Sequence, residues 1–120
     1  MDIKNPNVTI GMPVYNGEKF IKNALDSILS QTYTNFELII SDNASTDSTQ
    51  DICQEYVKND KRIQYYKQTK NIGIYHNFKF VLLKSNSKYF QWASTDDLWH
   101  STFLEKNITF LENNENYVGS

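Results

Sequence analysis

The sequence predicts an α/β domain built on a mainly parallel, doubly wound sheet with helices on both faces. Short apolar runs alternate with longer segments of helical periodicity, the signature of strands joined by helical crossovers. Each apolar run closes in a turn or a polar cluster, where a strand hands over to a helix. At 120 residues the chain has the length of one small domain, enough to bury a core.

The first strand is Val8-Thr9-Ile10-Gly11-Met12-Pro13-Val14, closed by the breaker pair Asn16-Gly17. Phe20, Ile21, Ala24, Leu25, Ile28 and Leu29 then recur at helical spacing, with Lys19, Lys22, Asn23 and Asp26 on the other face. Phe36 to Ser41 reads as the second strand. Ser45, Thr46, Asp47 and Ser48 offer N-cap side chains before the helical stripe of Ile52, Tyr56 and Val57. Arg62 to Tyr66 alternates as a third strand, Asn71-Ile72-Gly73 turns the chain, and Phe78, Val81 and Leu82 are expected to form a buried helical face. Tyr89 to Ala93 is the fourth strand, Leu104, Ile108 and Leu111 mark a last helix, and Tyr117 to Ser120 reads as a fifth strand beginning. The chain is thus one continuous module, expected to be part of a longer one, with an open sheet edge that favours self-association and a possible homodimer.

Composition removes several functional classes. Eight Tyr, seven Phe and two Trp exclude a disordered chain. A formal charge of −2 with scattered lysines gives no clustered cations for a nucleic-acid backbone. The lone Cys53 reads as a small buried hydrophobe, which makes a reducing cytoplasm the expected setting; membrane association of a longer protein stays open. No run approaches the roughly 20 apolar residues of a membrane-spanning helix, and the polar Met1 to Asn7 has no signal-peptide core.

In an open parallel sheet, ligands bind outside the carboxyl ends of the strands. Here that rim comprises Tyr15, Asn16 and Glu18, then Asp42, Asn43 and Ser45, then Asn71 and Gly73, then Thr95, Asp96 and Asp97. Adjacent carboxylates in a crevice repel unless a cation joins them. Oxygen donors without His or Cys favour Mg2+ or Mn2+, which bind one or two carboxylates and complete their shell with phosphate oxygens, so a bound diphosphate fits. Plainer roles compete: Asp96-Asp97 as the cap of a helix starting near Trp99 or His100, and Ser45, Thr46 and Asp47 as loop and N-cap. Asn16-Gly17 reads as turn chemistry and His76 as a surface residue. Tyr15 is either a surface ring or a stacking platform for a nucleobase; Trp92 is read as packing, and Trp99 is undecided.

Four segments in order, VTIGMPVYNGEKFIKNALDSILSQT, FELIISDNASTDST, NIGIYHNFKFVLL and YFQWASTDDL, resemble family 2 glycosyltransferases of the GT-A fold. The resemblance implies a Rossmann-like three-layer α/β/α sandwich, with residues 1–120 as its N-terminal, nucleotide-diphospho-sugar-binding part. It implies a hexosyltransferase-like enzyme that takes a nucleotide-diphosphate sugar, with a UDP-sugar expected. The sugar passes to a hydroxyl of a glycan or lipid-linked acceptor with inversion, in polysaccharide biosynthesis. By position, Pro13, Tyr15, Asn16, Asp42, Asn43 and Asn71 fall to the nucleotide. Asp42 is the acceptor for the base, Asp96 is turned toward the ribose, and Asp97 is the more direct metal ligand. The acceptor part and the catalytic base are expected beyond residue 120, leaving this fragment alone inactive.

Two departures stand out. Where the family often shows Asp-Asp-Gly-Ser, this chain has Asp42-Asn43-Ala44-Ser45, and the Arg common after Asn-x-Gly is replaced within Tyr75-His76-Asn77-Phe78. The four glycines cannot supply G-x-G-x-x-G, no Gly-Lys-Ser/Thr occurs, and MPVYNGEKF is not the basic glycine-rich loop of a nucleotidyltransferase. The alternative is a non-catalytic module, either nucleotide-sugar-binding or receiver-like and regulatory, although a receiver carries its acidic pair after the first strand.

Overall fold

The computed structural model describes residues 6–113. Strands and helices alternate without exception: β1 (Val8–Val14), α1 (Ile21–Leu29), β2 (Phe36–Asp42), α2 (Thr49–Asn59), β3 (Ile63–Lys67), α3 (Gly73–Lys84), β4 (Tyr89–Trp92) and α4 (Phe103–Asn113). The strands pair in the order β3-β2-β1-β4. Every pairing is parallel, with Val14 opposite Asp42, Ile40 opposite Tyr65 and Gly11 opposite Trp92. Because all four strands run the same way, all four carboxyl ends reach one edge of the sheet, with β1 between β2 and β4.

The period-two alternation of β1 and β2 sorts their residues onto two faces. Val8, Ile10, Met12 and Val14 pack with Phe36, Leu38 and Ile40 against Ile21, Ala24, Leu25 and Ile28 of α1, Cys53 of α2, and Leu104 and Ile108 of α4. Burial pushes the Cys53 thiol up to about 12, so this lone cysteine is an inert part of the core. The other face carries Thr9, Gly11, Ile39 and Ser41, and α3 covers it through Val81 and Asn77. A Cβ on Gly11 would stand 2.5 Å from Val81 Cγ1 and 2.6 Å from Phe90 Cζ, so glycine is what lets α3 and β4 close on β1. Helices therefore lie on both faces, giving the three layers the sequence predicts.

Two expectations need correcting. The buried face of α3 is Asn77 and Val81, whereas Phe78 and Leu82 are exposed. The reason is the polar Ser41 on the sheet beneath: its hydroxyl donates to Asn77 Oδ1 at 2.6 Å, and Asn77 Nδ2 donates to the Ser41 carbonyl at 3.0 Å. The last helix starts at Phe103, not near Trp99 or His100, so Asp96 and Asp97 lie outside its first turn and do not cap it. The expected strand at Tyr117 to Ser120 lies outside the described residues. Among the described residues, no helix is long and apolar enough to cross a membrane.

Candidate functional site

The loop after β1 is held by the loop after β2. Asn16 N donates to Ser45 Oγ at 2.8 Å, Thr46 N to Asn16 Oδ1 at 2.8 Å, Gly17 N to Thr49 Oγ1 at 2.9 Å, and Glu18 N to Asp47 Oδ2 at 3.2 Å. Asn16 takes φ 51°, a left-handed conformation that asparagine tolerates. Tyr15 is thereby left with its ring half exposed at the rim, while Pro13 is half-buried one residue inside the strand end. Ser45 and Asp47 divide the roles expected of them together: Asp47 Oδ1 accepts from the Thr49 backbone at the start of α2, whereas Ser45 secures the first loop instead of capping. Burial alone would raise the Asp47 carboxyl, but bonds from Thr49 and Glu18 outweigh it and hold the group below its ordinary value.

Asp42 ends β2 and is completely buried. Its main chain is fixed on two sides: Gln68 N donates to its carbonyl at 2.8 Å, and the next residue, Asn43, donates its N–H to Val14 O at 2.8 Å. Its side chain takes one bond from the Ser45 N–H to Oδ1 at 2.9 Å and one from the Tyr65 hydroxyl to Oδ2 at 2.5 Å. Burial, followed by the bond to Asp42 and its charge, pushes the Tyr65 phenol well above its ordinary value, so it acts as a neutral donor. The sequence alone does not single out Tyr65 as a site residue. Only the pairing of Ile40 with Tyr65 carries it to Asp42, and that register is not written in either segment alone.

Asn43 and Asn71 are brought together. Asn43 Nδ2 donates to Asn71 Oδ1 at 3.1 Å and to the Gly73 carbonyl at 3.3 Å, and Asn43 Oδ1 accepts from Ile72 N at 2.8 Å. Asn71 Oδ1 also accepts from Gly73 N at 2.8 Å. This clasp fixes the entry of α3 against the end of β2.

After β4, Ser94 gathers both carboxylates: its N–H donates to Asp97 Oδ2 at 3.0 Å and its hydroxyl to Asp96 Oδ1 at 2.6 Å. Asp96 is exposed and Asp97 half-buried. The first loop reaches this turn, since a Cβ on Gly17 would lie 3.1 Å from Thr95 Cγ2. Among the described residues no group of three or more His, Cys, Asp or Glu side chains comes together. Asp96 and Asp97 are the carboxylates at this edge with a side-chain oxygen left over from the bonds to Ser94, and Mg2+ and Mn2+ are ions that can bind through one or two carboxylates.

Trp92, Trp99 and His76 make ring contacts of their own. Trp92 packs on Phe78 at 4.8 Å and Phe90 at 4.6 Å between ring centroids. Trp99 packs on Phe103 and its backbone N–H donates to Ser27 Oγ. His76 is exposed beside Tyr75.

A parallel sheet whose four carboxyl ends present polar loops, with an acidic pair after the fourth strand, is the arrangement in which open α/β domains hold ligands at the carboxyl edge of the sheet. Residues 9–120 match the family described as Glycosyl transferase family 2, and the chain belongs to that family of glycosyltransferases. It is 34% identical over 106 residues to the putative teichuronic acid biosynthesis glycosyltransferase TuaG of Bacillus subtilis, covering 88% of this chain and 42% of that protein. The fold is that of Staphylococcus aureus TarS 1–349, solved in complex with UDP, at TM-score 0.84 and 22% identity over 91% of this chain and 33% of that one. The mannosyltransferase PcManGT of Pyrobaculum calidifontis, solved with GDP-Man and Mn2+, matches at TM-score 0.81 and 25% identity over 92% of this chain and 34% of that one. The chain spans between 14% and 42% of the length of the curated relatives it matches.

Proposed function

We propose that residues 1–120 form the N-terminal part of a GT-A domain that binds a nucleotide-diphosphate sugar, with uridine as the base, at the carboxyl edge of the sheet. In the whole protein the sugar passes, with inversion, to a hydroxyl of a glycan or lipid-linked acceptor. The observation that carries this reading is the convergence of the loops after β1, β2 and β3, tied to one another by side-chain hydrogen bonds around a buried carboxylate, with the loop after β4 brought beside the first loop at Gly17 and Thr95 and carrying an open carboxylate pair. In this reading the half-exposed ring of Tyr15 and the neighbouring Pro13 meet the base, and Asp42 accepts its N–H. Asn16, Asn43 and Asn71 shape the rim along the nucleotide, and Asp96 faces the ribose. Asp97, with Asp96, would hold Mg2+ or Mn2+; the structure of PcManGT in complex with GDP-Man and Mn2+ supports this. When bound, such an ion supplies Lewis-acid stabilisation of the diphosphate leaving group.

The chain's own contribution is positional. Ser94 orients both carboxylates, and its two donors engage one oxygen of each, leaving the remaining oxygens to face a ligand. Holding base and diphosphate in one geometry lowers the entropic part of the barrier before any acceptor arrives.

Thermal unfolding tests the reading. UDP with Mn2+ should raise the melting temperature, by an amount that grows with ligand excess over its dissociation constant. Asp97→Ala should abolish the Mn2+-dependent part of the shift while leaving unliganded stability near wild type. An identical shift in the presence of a chelator would remove the metal role of Asp96 and Asp97; no shift with any nucleoside diphosphate would remove the nucleotide reading.

A further inference from the structure

The Asp42 carboxylate is sealed: no part of the residue reaches solvent, and each oxygen already has a donor. A carboxylate has about four lone-pair positions, so two bonds do not exhaust it. A buried one, however, meets a new donor only if a neighbour moves aside. The two neighbours differ in how readily they can do so. Ser45 N–H belongs to the backbone of a loop pinned to Asn16, and the Asp42 main chain is itself held by Gln68 and by the pairing with Val14. Tyr65 is a side chain on β3, the terminal strand of the sheet, and among the described residues its hydroxyl is the hydrogen-bond donor to Asp42 Oδ2. Its ring packs only partly against the core.

We propose that Tyr65 is a positioning residue whose hydroxyl stands in for the nucleobase. In the empty site it satisfies Asp42 Oδ2 and sets the rotamer of the carboxylate. On binding, an N–H donor of the base takes that acceptor and the hydroxyl turns out to solvent. The proposal rests on the assignment of Asp42 to the base, and it adds that affinity reflects an exchange of donors, not a new bond. A neutral phenol suits this task, because it keeps a proton to donate to Asp42, and burial beside that carboxylate only favours the protonated form further. The exchange also gives a selectivity rule: a base that presents an acceptor at this point leaves Asp42 facing another lone pair, so a base with an imide N–H is favoured.

Tyr65→Phe separates this from a merely structural role, because the two predict opposite signs for binding. Losing the hydroxyl leaves a buried carboxylate oxygen without its donor, so the unliganded chain should melt at lower temperature. UDP, no longer competing with the hydroxyl, should bind more tightly, by roughly tenfold, the scale of one hydrogen bond to a charged group. Pyrophosphate with Mn2+, which has no base, should bind wild type and Y65F alike. If Y65F weakens UDP or leaves its affinity unchanged, the stand-in role is overturned while nucleotide binding survives. If UDP and pyrophosphate change together, the effect is structural and the proposal is again overturned. If wild type binds neither, the nucleotide reading itself falls. Should Y65F not fold, the wild-type chain carrying 13C-Cζ tyrosine gives the same answer: the Tyr65 resonance should move on addition of UDP and stay in place with pyrophosphate, and an unmoved resonance at saturating UDP overturns the exchange.

Discussion

Ala44 should be replaceable by glycine with a gain in stability, and the gain follows from the backbone. Ala44 has φ 61°, in the left-handed region, although it carries a Cβ. That conformation brings Cβ against the following carbonyl oxygen and costs an alanine about 1–2 kcal/mol. Glycine removes this strain but adds freedom to the unfolded chain, which offsets about 0.4–1 kcal/mol. The net expectation for Ala44→Gly is a stabilisation of about 0.5–1 kcal/mol, or roughly 3 °C for a domain of this size. Urea unfolding followed by circular dichroism should show a higher midpoint with an unchanged slope, since no surface is newly buried. Ala44→Val should move the midpoint the other way, because a β-branched residue fits positive φ worse than alanine does. A lower midpoint for A44G would mean that the turn is not left-handed at this position in solution, and the geometry that aims Ser45 N–H at Asp42 would have to be redrawn.

Two further outcomes test the packing and the electrostatics. Gly11→Ala should destabilise by about 1–3 kcal/mol, because the new methyl would fall within 2.6 Å of both Val81 and Phe90, and neither can retreat without opening the seam between α3 and β4; an unchanged urea midpoint would refute that seam. Asp60 is held below the ordinary carboxylate range by its bond to Arg62 Nη2 at 2.8 Å, so its contribution is complete above the unfolded value near ~4 and is lost as pH falls through the lower folded value. Asp60→Asn should therefore flatten the acid limb of a stability-against-pH curve below about pH 4, and an unaltered limb would show that the pair adds nothing.

Most of the fold is legible in the sequence because its two middle strands are central and its helices amphipathic. β1 and β2 are flanked by strands on both sides and covered on both faces, and such strands read as continuous apolar runs. The periodicity of α1 is equally direct, since Ile21, Ala24, Leu25 and Ile28 are all buried. Periodicity fails at α3, where it counts apolar residues and nominates Phe78 and Leu82. The sheet beneath offers Ser41, and a buried hydroxyl selects a hydrogen-bonding partner over a methyl group. Asn77 fills that role, and Gln68 Nε2 adds a further bond to the same hydroxyl at 3.1 Å. Asp42, Asp96 and Asp97 are visible from the sequence because they stand at strand ends. Tyr65 is not, because its place depends on which strand lies beside β2.

The same distinction explains the departure at Asn43. Where the family often has a second carboxylate, this chain has an amide, and its surroundings show why an amide fits. Two oxygens, Asn71 Oδ1 and the Gly73 carbonyl, lie within 3.3 Å of Asn43 Nδ2, and one donor, Ile72 N–H, lies 2.8 Å from Asn43 Oδ1. Only a side chain that both donates and accepts can satisfy all three. An aspartate would keep the bond from Ile72 but set a negative oxygen against two others at the end of a buried strand. Asn43 therefore exchanges a charge at the rim for a neutral clasp between the ends of β2 and the start of α3. It follows that Asp42 is the one carboxylate at the end of β2 itself, while Asp47, farther along the same loop, gives its two oxygens to Thr49 and Glu18.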